Sequence, residues 1–270
     1  RSIYPTLLSK RLHNPAVTLP GLVLLLISLL PAAVSADPLR VFVSVLPIRT
    51  VVERIGGEHV DVRVMVQPGY DPVTYDATPQ QIAALAEADL YVRVGVPFEN
   101  AWMQRIRSAN PAMPILDARS GIAPRDRRVH RDDHRPGGES DEPRHDGRHH
   151  THDSDPHIWT DPRLVMHVAG VIRDQLTELA PAQRAAFTRN HAAFVGELQR
   201  LDDDIRALLE PLQNRRFLVF HPAWGYFADA YGLTQVSIER EGKEPGARGL
   251  AALIDQAKKE DVKVVFVQPQ

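Results

Sequence analysis

Arg40-Val41-Phe42-Val43-Ser44-Val45-Leu46-Pro47 is a run of β-branched and aromatic residues closed by a proline, and it reads as a strand. Directly after it, Ile48, Val51, Val52 and Ile55 recur at helical spacing and stop at Gly56-Gly57. Val60-Asp61-Val62-Arg63-Val64-Met65-Val66 alternates as a second strand. Pro79 to Ala88 reads as a short helix with proline at its start, and Leu90-Tyr91-Val92-Arg93-Val94 as a third strand. Strand and helix alternating at this spacing predict a parallel sheet covered by helices. Ligands of such sheets collect in loops at the carboxyl ends of strands, where the segment Gly69–Tyr75 and the segment holding His221 both fall.

Farther along, Phe187, Phe194, Leu198, Leu201, Ile205, Leu208 and Leu212 recur at threes, fours and sevens between Pro181 and Leu212. That is the signature of a long amphipathic helix, a rod of about 45 Å at 1.5 Å per residue. Such a rod either spans two lobes or folds as an arm onto one of them. Arg216 to Phe220 and Val262 to Val267 predict buried strands of a second α/β lobe, separated by a helix over Gly249–Lys259. The predicted fold class is therefore α/β.

Composition narrows the function. A chain of 270 residues with 43% hydrophobic content can bury a sizeable core. A formal net charge of −2 argues against nucleic acid or an anionic membrane surface as partner. There is no cysteine, so a metal bound here is held by nitrogen and oxygen. The first 36 residues read as a cleaved signal peptide. Lys10 and Arg11 are its positive region, Leu22 to Leu30 its apolar run, and Val34-Ser35-Ala36 its cleavage site. The apolar run is too short for the ~30 Å of a bilayer core. A free, soluble protein of the periplasm is expected. The chain opens with Arg1 rather than Met, an expectation of clipping at this end. The stretch Arg125–His152 holds six histidines and, apart from Val129, almost no apolar residue. It is expected to be disordered, with weak metal capture as its functional reading and a solvated insertion as its bland one.

Two further strings carry chemistry: Ser154-Asp155-Pro156-His157-Ile158-Trp159-Thr160-Asp161-Pro162 and Phe220-His221-Pro222-Ala223-Trp224-Gly225-Tyr226. Each places one histidine among rigid Pro and Trp neighbours, and neutral imidazole is the usual nitrogen ligand for zinc and its first-row relatives. Asp155 and Asp161 flank His157, and a carboxylate on the far ring nitrogen would fix its tautomer. The bland reading is that His157 makes local caps at a helix start and that His221 is a satisfied core residue. His59, His167 and His191 stand outside any cluster and read as surface or packing residues.

These strings, together with Pro68-Gly69-Tyr70-Asp71-Pro72-Val73-Thr74-Tyr75, resemble the metal-specific solute-binding proteins of ABC transporters, the family that takes up zinc and manganese. The resemblance runs from about Arg40 to Gln270. It implies two α/β lobes, over residues 37–180 and 213–270, joined by one long backbone helix over 181–212. It also implies Zn²⁺ (or Mn²⁺) as transported ligand, an inner-membrane permease as partner and a monomeric carrier. His157 and His221 match ligand positions. Where the family has its first histidine this chain has Val73, and the late carboxylate falls beyond Gln270, so the second lobe is expected to be incomplete. Water, a loop histidine such as His152, or Asp71 or Tyr75 are the alternatives at the Val73 position. A metal-dependent adhesin or periplasmic metal chaperone would share these ligands. A zinc hydrolase is the rival class, although no His-Glu-x-x-His motif or nucleophile elbow accompanies it.

Overall fold

Parallel pairing organises both sheets of the computed structural model, which describes residues 37–72, 74–125, 154–239, 246–259 and 265–266. The first sheet is built from β1 (Leu39–Val43), β2 (Val60–Val64), β3 (Leu90–Arg93) and β4 (Ile115–Asp117), in the order β2-β1-β3-β4. Val41 sits opposite Val62 on one side and Leu90 on the other. Both central strands are buried, from Val41 to Val43 and from Leu90 to Val92. Near-continuous apolar runs are what a parallel sheet covered on both faces requires.

The connecting helices follow their capping chemistry. Helix α1 (Leu46–Gly56) carries Pro47 in its first turn, where the missing N–H would have had no partner anyway. Pro47 thus opens a helix rather than closing the strand, which already ends at Val43. The helix stops at Gly57, whose φ of 56° strains any residue with a side chain. Helix α2 (Pro79–Leu85) begins with a reciprocal cap between Thr78 and Gln81. Gln81 does more than cap. Its oxygen accepts from the Tyr75 hydroxyl at 2.8 Å and its nitrogen donates to Met65 O at 2.7 Å, tying both ends of the segment after β2. Helix α3 (Pro97–Ala109) buries Glu99, which accepts from the backbone of Val94 and Gly95 at 2.8 and 2.9 Å and pairs with Arg93.

Helices α4 (Pro162–Leu179) and α5 (Arg184–Leu209) are joined by a short turn and pack on each other and on α1. Val165, Val168, Ala169, Ile172 and Leu176 form the buried stripe of α4. The 26-residue α5 is about 39 Å long. Its apolar stripe is buried only at Phe187, Phe194 and Leu198, whereas Leu201 and Leu208 are exposed. Past Leu198 the buried residue is Asp202, which accepts from the Tyr231 hydroxyl at 2.8 Å. The helix therefore does both things the spacing allowed. Its first half lies on α1 and α4, and its last turns reach the helix of the second sheet.

That second sheet has the order β6-β5-β7, from β5 (Arg216–Val219), β6 (Thr234–Ser237) and β7 (Val265–Phe266), all parallel. Helix α6 (Gly225–Tyr231) follows β5, and α7 (Ala247–Lys259) follows β6. Tyr226 of α6 is buried in the core of the first sheet, so the two halves share apolar packing. No helix among the described residues is long and apolar enough to cross a membrane. The expected signal peptide, Val73 and all of the histidine-rich stretch except Arg125 lie outside the described residues.

Candidate metal centre

His221 sits in the turn that leaves the carboxyl end of β5, the central strand of the second sheet. This is the place where an α/β sheet collects ligands, because neighbouring connections diverge there. His157 arrives from a different direction, at the start of a short 3₁₀ turn (Ile158–Thr160) that leads into α4. The fold brings the two imidazoles together, with ring centroids 5.3 Å apart and planes crossed at 74°.

Each ring is held from behind by a carboxylate. His157 Nδ1 lies 2.6 Å from Asp155 Oδ1, and the same oxygen accepts from the His157 backbone N–H at 3.0 Å. His221 Nδ1 lies 2.7 Å from Glu239 Oε2. A carboxylate only accepts, so both rings carry their proton on Nδ1, and a metal held by these rings would meet Nε2. Asp155 is the more deeply set of the two, its side chain 1% exposed against 14% for Glu239. Burial alone would raise the Asp155 carboxyl, but the hydrogen bonds from His157 and the charge of Arg125 outweigh it. The group is held below the ordinary carboxylate range. Trp159 closes one side of His157, with its ring 5.2 Å away.

The geometry suits a tetrahedral metal. A Zn–N distance of about 2.1 Å plus the half-width of an imidazole puts each ring centroid ~3.2 Å from the ion. Two ligand rings at a tetrahedral angle then stand ~5.2 Å apart, close to the separation observed. Among the described residues no third His, Asp or Glu joins this pair to complete a cluster.

Sequence reasoning anticipated one of the two supporting carboxylates. Asp161, the other aspartate flanking His157, instead caps α4 by accepting from Arg163 N–H at 2.9 Å and pairs with the Arg163 guanidinium. Glu239 went unnoticed, since nothing local in its surroundings marks it. Tyr75, one alternative at the Val73 position, is buried and spends its hydroxyl on Gln81. His59 stands edge-on to Phe187, His167 Nε2 meets Ser120 O at 2.7 Å, and His191 Nδ1 faces Arg173, all in local packing roles.

The profile of the family described as zinc-uptake complex component A, periplasmic, matches residues 41–270. A zinc-binding lipoprotein, AdcA, of Streptococcus pneumoniae serotype 4 is 26% identical over 234 residues, covering 85% of this chain and 45% of its own length. The chain thus spans about half the length of that relative. A manganese-binding lipoprotein, MntA, of Halalkalibacterium halodurans is 28% identical over 236 residues, with 86% and 71% covered. A crystal structure of ZnuA superposes with a TM-score of 0.75 at 39% identity, covering 87% of this chain and 83% of that one. The family is one of uptake components, which sets the hydrolase alternative aside. Its match extends over both sheets and both histidine strings, and the chain belongs to the zinc-uptake component A family of periplasmic metal-binding proteins.

Proposed function

We propose that this protein captures a divalent transition metal, zinc in the first place, outside the cytoplasmic membrane and delivers it to the permease of an ABC transporter. The observation that carries the reading is the pair His157 and His221, contributed by separate parts of the fold and each backed by a carboxylate on Nδ1. Neutral nitrogen donors with oxygen behind them favour zinc over the hard cations, which prefer all-oxygen cages. The zinc-binding and manganese-binding relatives agree with that choice and keep Mn²⁺ as the second cargo. Two protein nitrogens leave room for further ligands, which a water, a histidine of the stretch 126–153 or a later carboxylate would supply. An open coordination sphere suits a carrier, because cargo that is to be handed on must not be fully caged. Maturation by removal of residues 1–36, a periplasmic location and a monomeric working form belong to the same proposal. The experiment is a chelator-competition titration of Zn²⁺ against the wild type, His157→Ala and His221→Ala. Each variant is expected to lose the tightest equivalent, and a tightest equivalent unchanged in both refutes the assignment.

A further inference from the structure

Behind His157 and Asp155 lies a third residue that the ligand pattern does not include. Arg125 is buried to 12% side-chain exposure and stands 30 positions before Asp155. Its carbonyl accepts from Asp155 N–H at 2.8 Å, and its own N–H donates to the Tyr226 hydroxyl at 3.1 Å. Its guanidinium divides between two acids, with Nη1 3.4 Å from Asp155 Oδ2 and Nε 2.7 Å from Asp229 Oδ2. Tyr226 and Asp229 are both on α6, the helix that starts four residues after His221. Room for the guanidinium exists only because α6 opens with Gly225. A Cβ there would collide with the guanidinium and stand 2.7 Å from Asp155 Oδ2.

We propose that Arg125 is a positioning residue for the metal site, holding Asp155 so that Asp155 holds His157, and thereby locking the first ligand to the element that carries the second. This rests on the reading of His157 and His221 as ligands. The physics is a division of labour on one carboxylate. Oδ1 serves the ring and the backbone of His157, which leaves Oδ2 in a nearly sealed environment where an unpaired charge is costly. Arg125 meets that oxygen with a positive donor and stops the carboxylate from turning about its Cβ–Cγ bond. The Asp229 side chain is 60% exposed, so that ion pair is screened and contributes orientation more than energy. Because Arg125 hangs from α6 through Tyr226 and Asp229, a shift of α6 moves both histidines together. The two ligands form one mechanical unit.

The test uses the full-length chain and Zn²⁺ alone, read by chelator competition at the tightest equivalent. Arg125→Ala is expected to weaken that equivalent about tenfold, the usual scale for a group behind a ligand. Gly225→Ala should do the same with arginine still present, because its methyl takes the guanidinium's space. The decisive comparison is a double-mutant cycle. In an Asp155→Asn background, Arg125→Ala is expected to add no further loss, since its effect passes through that carboxylate. Nitrogen-15 NMR of the metal-free protein supplies a readout that a merely structural role would not move: one Nδ1–H tautomer of His157 in the wild type and a mixture in Arg125→Ala. Wild-type affinity in Arg125→Ala, or losses that add fully in the double variant, overturns the proposal. An unchanged tautomer overturns it too. If Arg125→Ala folds poorly, the zinc-induced rise in melting temperature of Arg125→Lys decides. A rise between those of the wild type and Gly225→Ala supports the role, and a rise no larger than that of Gly225→Ala overturns it. An unaffected tightest equivalent in His157→Ala would instead remove the ligand reading itself, so the two failures are separable.

Discussion

Replacing each supporting carboxylate by its amide should weaken zinc binding unequally, with Asp155→Asn worse than Glu239→Gln. Both exchanges keep the shape of the side chain and remove the charge. An amide can turn its NH2 toward Nδ1, and the ring then moves its proton to Nε2, the atom needed for the metal. Restoring the productive tautomer and ring orientation costs binding energy, and groups in this position are typically worth 10–100-fold in affinity. The structure decides where in that range each falls. Asp155 is almost sealed and Glu239 only partly so, with 1% and 14% of their side chains exposed. Water therefore screens the His221 pair more than the His157 pair. We expect about 10-fold for Glu239→Gln and about 100-fold for Asp155→Asn, or roughly 1.4 and 2.8 kcal/mol at 1.4 kcal/mol per decade. Competition against a chromogenic chelator at neutral pH measures both on one scale. Equal losses, or a larger loss at Glu239, would refute the link between burial and tuning. No loss in either would refute the carboxylate-on-Nδ1 argument altogether.

Three other outcomes are expected. Asp202→Asn should lower stability by about 2 kcal/mol at neutral pH, since it weakens the buried bond from Tyr231 and the part-buried one from Arg206. Burial works against the Asp202 charge, but those two donors keep its carboxyl below the ordinary value. Its stabilising contribution is thus present above the unfolded value of about 3.9 and lost as pH falls through the lower folded one, so the melting curves of variant and wild type should converge there. His191 is pushed downward by burial and by Arg173, and its Nε2 is buried without a partner among the described residues. Protonation consequently favours the unfolded chain. His191→Leu should abolish the loss of stability that the wild type suffers on acidification below about pH 6.5, and denaturant titrations at two pH values would show whether that slope disappears. Val73→His is expected to tighten zinc binding by supplying the nitrogen donor that the resemblance implies at that position, and calorimetry of the two chains would reveal an unchanged affinity if the residue does not face the metal.

Much of the fold was legible because its central strands are rich in β-branched and other apolar residues. Val41 to Val43, Val60 to Val64 and Leu90 to Val92 announce themselves by composition, and α1 by its spacing. Two other strands did not. Ile115–Asp117 is three residues long and Thr234-Gln235-Val236-Ser237 is mostly polar, so neither offers a pattern. Helix α4 was a different case, since Val165, Val168, Ile172 and Leu176 carry a readable stripe that the His157 string beside it overshadowed. The two ligand candidates were visible as motifs, whereas Glu239 was invisible for a physical reason. The parallel register sets Val219 opposite Ser237, and two residues further on each strand the same register sets His221 beside Glu239. Register is a property of the folded sheet, and no local stretch of sequence encodes it. Arg125 was hidden in another way, as the first of many arginines in a charged run.

The hydrogen bond between Arg125 O and Asp155 N has an evolutionary consequence. It closes the chain upon itself where residues 126–153 leave and rejoin it, so that stretch is grafted at a single stitched point. Loop-closure entropy grows only logarithmically, by about 0.6 kcal/mol for each doubling of length. Insertions, deletions or wholesale replacement there would leave the geometry of the histidine pair intact. A lineage could thus shorten, lengthen or recompose this stretch to suit its own metal supply while inheriting the histidine pair unchanged. A protein engineer could use the same stitch to host a sensor domain that reports on metal capture.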